Sequence, residues 1–223
     1  MPKFEGKAFN IVFIGRQNPQ ILNHDFLKSH HALPENIEPF RSLLDKKDAA
    51  PFSEFVSTPV LSMIKYGPIS IVVEENRYQI TDSIFTNATS SPILGITKKY
   101  FGDLLRYTPL QLGGVNLIGN IHFKDAEDEK KLDQLLGINR DRLIALSGVS
   151  DIRSGLSFSF PWKEGMIEVQ VTKLKDRSQP AAMTFNYEFR YKDIDSFLRN
   201  LDLFPEILVR FKQLCGGLGM EIQ

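Results

Sequence analysis

The sequence has little cysteine, no excess of either charge and no long apolar run. Its single cysteine, Cys215, has no partner for an intramolecular disulfide, which favours a reducing compartment such as the cytoplasm. The 223 residues carry 27 basic and 27 acidic side chains, whereas binding nucleic acid mainly through its phosphates requires an excess of Lys and Arg. No run of about 18 apolar residues is present, and the first residues lack the apolar segment of a signal peptide. We therefore do not expect nucleic acid or a membrane as partners.

Motifs for phosphate and dinucleotide binding are also missing. The chain has no G-x-x-x-x-G-K-[ST] pattern, and its paired glycines, Gly113-Gly114 and Gly216-Gly217, do not sit between a strand and a helix. We interpret both pairs as caps and turns. No G-x-S-x-G motif is present for a serine nucleophile.

The four histidines do not form a metal-binding pattern. In a helix over residues 19–31, His24 and His31 would lie about 10 Å apart along the axis, too far to share one ion. The chain has no H-E-x-x-H motif. Cys215 falls in an apolar stripe at a predicted helix end, where the helix dipole disfavours a thiolate. We predict no metal, no cofactor and no catalytic residue, and a structural role for the cysteine.

The C-terminal third shows the clearest pattern of secondary structure. Apolar and polar residues alternate over 156–162, 167–171 and 183–191, the pattern of strands with one buried face. Asp193 is placed to cap a helix that follows, and Pro205 to begin a second one. We expect a three-stranded antiparallel meander with these helices packed against it.

The middle of the chain repeats this order. Strands are predicted near 57–66, 69–75 and 77–82, followed by a helix with Ser91 as N-cap and Pro92 at its first position. Further elements are a strand at 8–14, a helix-like stretch around 19–31, a strand at 113–123 and a helix at 126–136.

These elements predict an α+β fold with a mostly antiparallel sheet. It contains two strand-strand-strand-helix blocks, with the helices packed on one face of the sheet. We divide the chain into an N-terminal lobe (1–123), a charged connecting region (124–155) and a C-terminal lobe (156–223), together forming one compact unit.

Two polar strand faces are candidate binding sites. The first belongs to the C-terminal meander and the second to the strand at 115–123, where every second residue faces the same way. Seven side chains on these faces are our candidate binding residues: Asn116, Asn120, His122, Glu168, Asn186, Glu188 and Arg190. The simpler interpretation of each face is the solvated side of a sheet. His122 is the one histidine of the set.

The sequence is rich in phenylalanine, with 17 among 223 residues. Most of them alternate on predicted strands or recur at helical spacing, which indicates core positions. The loop-like segment from Pro51 to Phe55 is the exception, and it is a candidate interaction element.

Three short segments carry a resemblance to a protein family. They are Ile71-Val72-Val73-Glu74-Glu75-Asn76-Arg77-Tyr78-Gln79-Ile80, the helix running to Leu105-Arg106-Tyr107, and Gly114-Val115-Asn116-Leu117-Ile118. With the order of elements, they resemble a sporadically distributed family of bacterial proteins of a little over 200 residues and unknown function. The chain has Asn116 and Asn120 where that family has a basic residue. The resemblance implies a soluble bacterial protein and transfers no catalytic residue.

We therefore favour a non-catalytic cytoplasmic protein that acts by binding, either by self-association or within a larger assembly. The alternative is an enzyme or nucleic-acid-processing factor whose site is assembled from distant residues such as His122, Glu168, Glu188 and Arg190.

Overall fold

The fold is built on one extended sheet of ten strands. The computed structural model describes residues 1–29, 54–83, 91–104, 110–135, 137, 145, 155–173, 181–191 and 193–222. Nine strands run in the spatial order β2-β3-β4-β5-β1-β6-β9-β8-β7, and all neighbours in this order are antiparallel. A short tenth strand, β10, pairs with β1 in parallel. The strands are β1 (Lys3–Gly15), β2 (Glu54–Ser57), β3 (Leu61–Tyr66), β4 (Ile69–Glu74), β5 (Arg77–Asp82), β6 (Leu110–His122), β7 (Gly155–Trp162), β8 (Gly165–Lys173), β9 (Ala181–Arg190) and β10 (Glu221–Ile222).

The described helices lie on one face of this sheet. The first is a 3₁₀ turn (Pro19–Ile21). The longer helices are α1 (His24–Ser29), α2 (Ile93–Lys99), α3 (Ala126–Leu135), α4 (Ile194–Asp202) and α5 (Phe204–Gly217), and α2 continues as a π-helical turn over Tyr100–Leu104. The predicted α+β class, with a mostly antiparallel sheet and helices on one face, is confirmed.

Aromatic residues join the helices to the sheet. The ring of Phe13 on β1 lies 4.7 Å from that of Phe101, in the π-helical turn after α2, and 4.2 Å from that of Phe197 on α4. The ring of Phe211 on α5 meets those of Phe4 and Phe185 at 5.1 and 5.4 Å. These six phenylalanines are at most 4% exposed, so they form core, as their spacing predicts.

The two strand-strand-strand-helix blocks share this sheet. Strand β6 of the N-terminal lobe pairs with β9 of the second block, from Leu112 opposite Arg190 to Ile121 opposite Ala181. Hydrogen-bonded sheet therefore runs without a break from one block to the other. The division at 1–123, 124–155 and 156–223 stays a prediction.

The interpretation of the glycine pair Gly113-Gly114 as a cap or turn was wrong. The pair lies inside β6, opposite Phe13 and Val12 of β1, and is neither a cap nor a turn. A Cβ atom on Gly113 would lie 2.7 Å from the ring of Phe189 on β9. The glycine is therefore needed because an aromatic ring of the neighbouring strand lies over its Cα.

Two other local predictions were wrong. Ser91 does not cap α2, whose N-cap is Pro92; its hydroxyl instead donates a 2.6 Å hydrogen bond to Asp82 Oδ2 at the end of β5. The predicted strand at 57–66 is two strands, and Glu54 and Phe55 belong to the first of them, β2, where the sequence suggested a loop. Pro51 to Ser53 lie outside the described residues.

The termini of several elements differ from their predicted positions. Strand β1 begins at Lys3 and ends at Gly15, beyond the predicted 8–14, and β10 was not expected. The helix-like stretch at 19–31 is a 3₁₀ turn followed by the short α1. His30, His31 and residues 105–109 lie outside the described part.

Candidate functional site

The face of the sheet opposite the helices carries a row of polar side chains that crosses nine strands. The cross-strand register places one residue from each strand in this row, which we call the polar row. From β2 to β7 it consists of Glu54, Lys65, Ser70, Thr81, Asn10, Asn116, Asn186, Glu168 and Ser159. Adjacent strands are about 4.8 Å apart, so the row extends across the whole sheet.

Three asparagines occupy the centre of the polar row. Asn116 on β6 lies between Asn10 on β1 and Asn186 on β9. The oxygen Oδ1 of Asn10 is buried and has no hydrogen-bond partner. Side-chain amides both donate and accept, so these neighbouring groups form a neutral polar strip rather than a charged one.

Glu168 extends the strip toward the β7 edge. It lies opposite Asn186 on one side and Ser159 on the other. Its Oε1 accepts a 2.8 Å hydrogen bond from Gln170 Nε2 and a 3.4 Å one from Ser157 Oγ. The structure thus brings three of the predicted residues side by side: Asn116, Asn186 and Glu168.

The other two predicted residues on β9 lie beyond this strip. Glu188 is exposed, opposite Gly114 on β6 and Met166 on β8. Arg190 is exposed at the end of the strand, opposite Leu112. Neither lies in the polar row.

Asn120 and His122 are at the opposite end of β6. Asn120 is only 8% exposed and lies opposite Glu5 on β1. His122 Nε2 lies 2.7 Å from Glu5 Oε2, and Lys7 Nζ lies 2.6 Å from Glu5 Oε1. The bond from Lys7, followed by that from His122, holds the pKa of Glu5 below its ordinary value. This cluster is a surface charge network separate from the polar row.

The residues considered for a catalytic site are far apart. Glu188 lies opposite Gly114, eight residues from His122 along β6, which is about 27 Å at 3.4 Å per residue. A general acid or base must come within hydrogen-bond reach of its reacting group. The structure does not bring His122, Glu168, Glu188 and Arg190 into one catalytic cluster.

The described residues contain no group of three or more His, Cys, Asp or Glu side chains placed to hold a metal ion. Among the helices within these same ranges, none has the length and apolar character needed to cross a membrane.

The β7 strand forms one edge of the sheet. It pairs with β8 on one side, and no described strand pairs with its other side. Its eight residues, Gly155 to Trp162, include no charged side chain. Pro161 lies within this strand, as expected for a sheet edge. Natural edge strands usually carry charges that discourage pairing with another chain. Strand β7 has none, and Pro161, which has no N–H to donate, lies near its end, so the residues before it are suited to further pairing.

Some residues of these sites could be predicted from the sequence and others could not. The period-2 pattern that predicted β1 also places Asn10 on its polar face, although Asn10 is not among the seven predicted residues. Glu5 gave no signal, because its contact with His122 depends on the pairing of β1 with β6 and joins residues 117 positions apart. Lys7 contacts Glu5, so its place in the cluster follows from the same pairing.

Comparison of the chain with models of known protein families finds no match, and comparison with curated protein sequences finds none either.

Proposed function

We propose that this is a non-catalytic binding protein that self-associates by pairing β7 with β7 of a second copy. The uncharged outer edge of β7, with which no described strand pairs, is the observation that carries the proposal. Antiparallel pairing of the two strands joins two ten-strand sheets edge to edge and supplies hydrogen-bond partners for backbone groups at this edge. The cytoplasm suits such a protein, because its one cysteine is free and buried.

The sequence of β7 allows it to pair in antiparallel with the β7 strand of a second copy. Residues directly opposite each other in a sheet share a face. A two-fold axis at Ser159 therefore places Phe158 opposite Phe160 of the second copy and Leu156 opposite Trp162. Apolar and aromatic cross-strand pairs of this kind stabilise antiparallel sheets by about 0.2–1 kcal/mol each.

A neighbouring groove extends the same surface. Trp162, Pro205 and Val209 line a groove of about 400 Å³ between the end of β7 and α5, and Val209 is 56% exposed. In the proposed register, Leu156 of the second copy lies opposite Trp162, beside this groove. Association therefore covers apolar surface as well as the strand edge.

The test is to place a lysine at the centre of the proposed interface. In Ser159→Lys, two lysines face each other across the two-fold axis, and like charges in this position oppose pairing. Within its own chain the new lysine lies opposite Glu168 of β8, so the monomer gains a cross-strand ion pair and still folds. Native mass spectrometry and light scattering over a concentration series should show a dimer whose dissociation constant rises at least tenfold in this variant.

Ser57→Lys is the matched control, because Ser57 is an exposed serine on β2 at the opposite edge. It should leave the dimer unchanged, as should Ser159→Thr, which keeps the edge uncharged. A protein that remains monomeric throughout the series contradicts the proposal. So does a dimer that withstands Ser159→Lys but is lost in Ser57→Lys.

A further inference from the structure

A cleft of about 740 Å³ lies at the C-terminal end of β1, away from the β7 edge. The β4–β5 turn contributes Glu75 and Asn76 to its wall, and the start of β6 contributes Gln111. The segment that leaves β1 contributes Arg16 and Gln17. Asn18 also lines the cleft, which thus combines four side-chain amides with one cation and one anion.

Hydrogen bonds fix the backbone at this cleft. The N–H of Gln17 donates to the carbonyl of Glu75 at 2.7 Å, and that of Gly15 donates to the carbonyl of Asn76 at 3.0 Å. The side chain of Asn18 accepts from the N–H of Gln20 and caps the 3₁₀ turn. Gln17 is therefore held between a strand end and a capped turn.

The amide of Gln17 has no partner in this setting. The residue is 8% exposed, and both Nε2 and Oε1 are buried without a hydrogen bond. Leaving a buried donor and acceptor unsatisfied is costly, and buried side-chain amides are normally paired. Rotation of the terminal side-chain torsions, which have broad minima, allows this amide to meet a group that enters the cleft.

The two charged side chains of the cleft also have no ion-pair partner among the described residues. Arg16 and Glu75 are both exposed, and neither forms an ion pair within the described part of the chain. A guanidinium binds a carboxylate well through two parallel hydrogen bonds. A carboxylate in the same cleft provides the complementary site for an ammonium group.

We propose that this cleft binds a small zwitterion that carries an amide, of the class of an amino acid with a carboxamide side chain. Arg16 binds its carboxylate, Glu75 binds its ammonium group, and the amide of Gln17 pairs with its amide. This pairing satisfies both orphaned atoms of Gln17 at once, since an amide offers one acceptor and donors together.

The probe for the experiment is L-glutamine, titrated into the ¹⁵N-labelled protein. We expect saturable chemical-shift changes at millimolar or lower concentration, centred on the backbone N–H groups of residues 15–18, 75, 76 and 111. Gln17→Leu should weaken binding at least tenfold, and Arg16→Gln should weaken it several-fold. Because the leucine variant loses an amide that had no hydrogen bond, its melting temperature should not fall.

Two matched variants serve as controls. Gln20→Leu changes an exposed glutamine three residues further along the chain, and Arg199→Gln changes an exposed arginine on α4; neither residue lines the cleft, so both variants should bind L-glutamine as the parent does. N-acetyl-L-glutamine amide, which lacks both charges, should bind at least tenfold more weakly. The proposal is overturned if L-glutamine gives no saturable shift, if Gln17→Leu binds it equally well, or if the uncharged probe binds as tightly.

Discussion

His122 Nε2 on β6 lies 2.7 Å from Glu5 Oε2 on the adjacent strand β1. The second oxygen of the same carboxylate is bound by Lys7, two residues further along β1. One exposed carboxylate therefore has two nitrogen partners from different strands. Both partners favour its ionised form, with Lys7 the larger cause of its lowered pKa.

The order of these two causes is testable by NMR titration of the Glu5 carboxyl group. In the parent protein the pKa of Glu5 should lie below that of an ordinary glutamate. Lys7→Gln should raise it toward the ordinary value by more than His122→Gln does. Equal pKa values in the parent and Lys7→Gln would show that the contact with Lys7 does not persist in solution.

The alternation of apolar and polar residues predicted most strands, because a strand with one buried face leaves this pattern in the sequence. The meander strands β7, β8 and β9 extend at most two residues beyond the predicted alternating runs at either end, except that β9 ends one residue earlier. Asp193 caps α4 as expected, with its side chain accepting from the N–H of Ser196. These features depend on local chemistry that short segments contain.

The order of strands in the sheet could not be predicted in this way. Pairing of β1 with β5 and β6, and of β6 with β9, joins segments that are distant in sequence. For that reason, the polar row was visible only in parts: its members on β6, β8 and β9 were selected, while Asn10 and Thr81 were not. Similarly, Gly113 is explained by Phe189, which lies 76 residues later and becomes a neighbour only in the sheet.

Lys173 at the end of β8 is the main polar contact of α3 with the sheet. It is 7% exposed, and its Nζ lies 2.8 Å from Glu129 Oε1 and 2.7 Å from Asp133 Oδ1, both on α3. Lys173→Met leaves these two carboxylates without their shared cation. Because loss of one partner from a buried ion pair is strongly destabilising, we expect the free energy of unfolding in urea to fall by about 2 kcal/mol or more.

The same helix provides the control for this variant. Lys131 pairs with Glu127 at 3.1 Å, and both side chains are mostly exposed. Lys131→Met should change the free energy of unfolding by less than about 0.5 kcal/mol, as is usual for exposed pairs. Similar losses in the two methionine variants would mean that the carboxylates around Lys173 are solvated by water rather than held by the lysine.

Two buried or partly buried tyrosines differ in whether their hydroxyl group has a partner. The hydroxyl of Tyr100 is buried without a hydrogen bond, and burial raises its pKa. That of Tyr191 donates to the carbonyl of Leu112 at 3.3 Å. Tyr191→Phe should therefore lower the free energy of unfolding by about 1 kcal/mol, while Tyr100→Phe should leave it unchanged or raise it.

Urea unfolding of the two phenylalanine variants, measured side by side, decides between these expectations. A loss of about 1 kcal/mol or more in Tyr100→Phe would show that a buried water molecule satisfies this hydroxyl.

The cap of α4 predicts how its contribution to stability changes with pH. The pKa of Asp193 is lowered, chiefly because its carboxylate accepts a 2.7 Å hydrogen bond from the N–H of Ser196. A carboxyl group whose pKa is lower in the folded state contributes stability above its unfolded pKa, and that contribution is lost as the pH falls through the folded value. Asp193→Asn keeps a good cap without the charge. Its melting temperature should therefore lie below that of the parent at pH 7, and the difference should narrow as the pH falls below about 4, the ordinary pKa of aspartate. A difference that stays constant over this range would mean that the charge of Asp193 does not contribute to the cap.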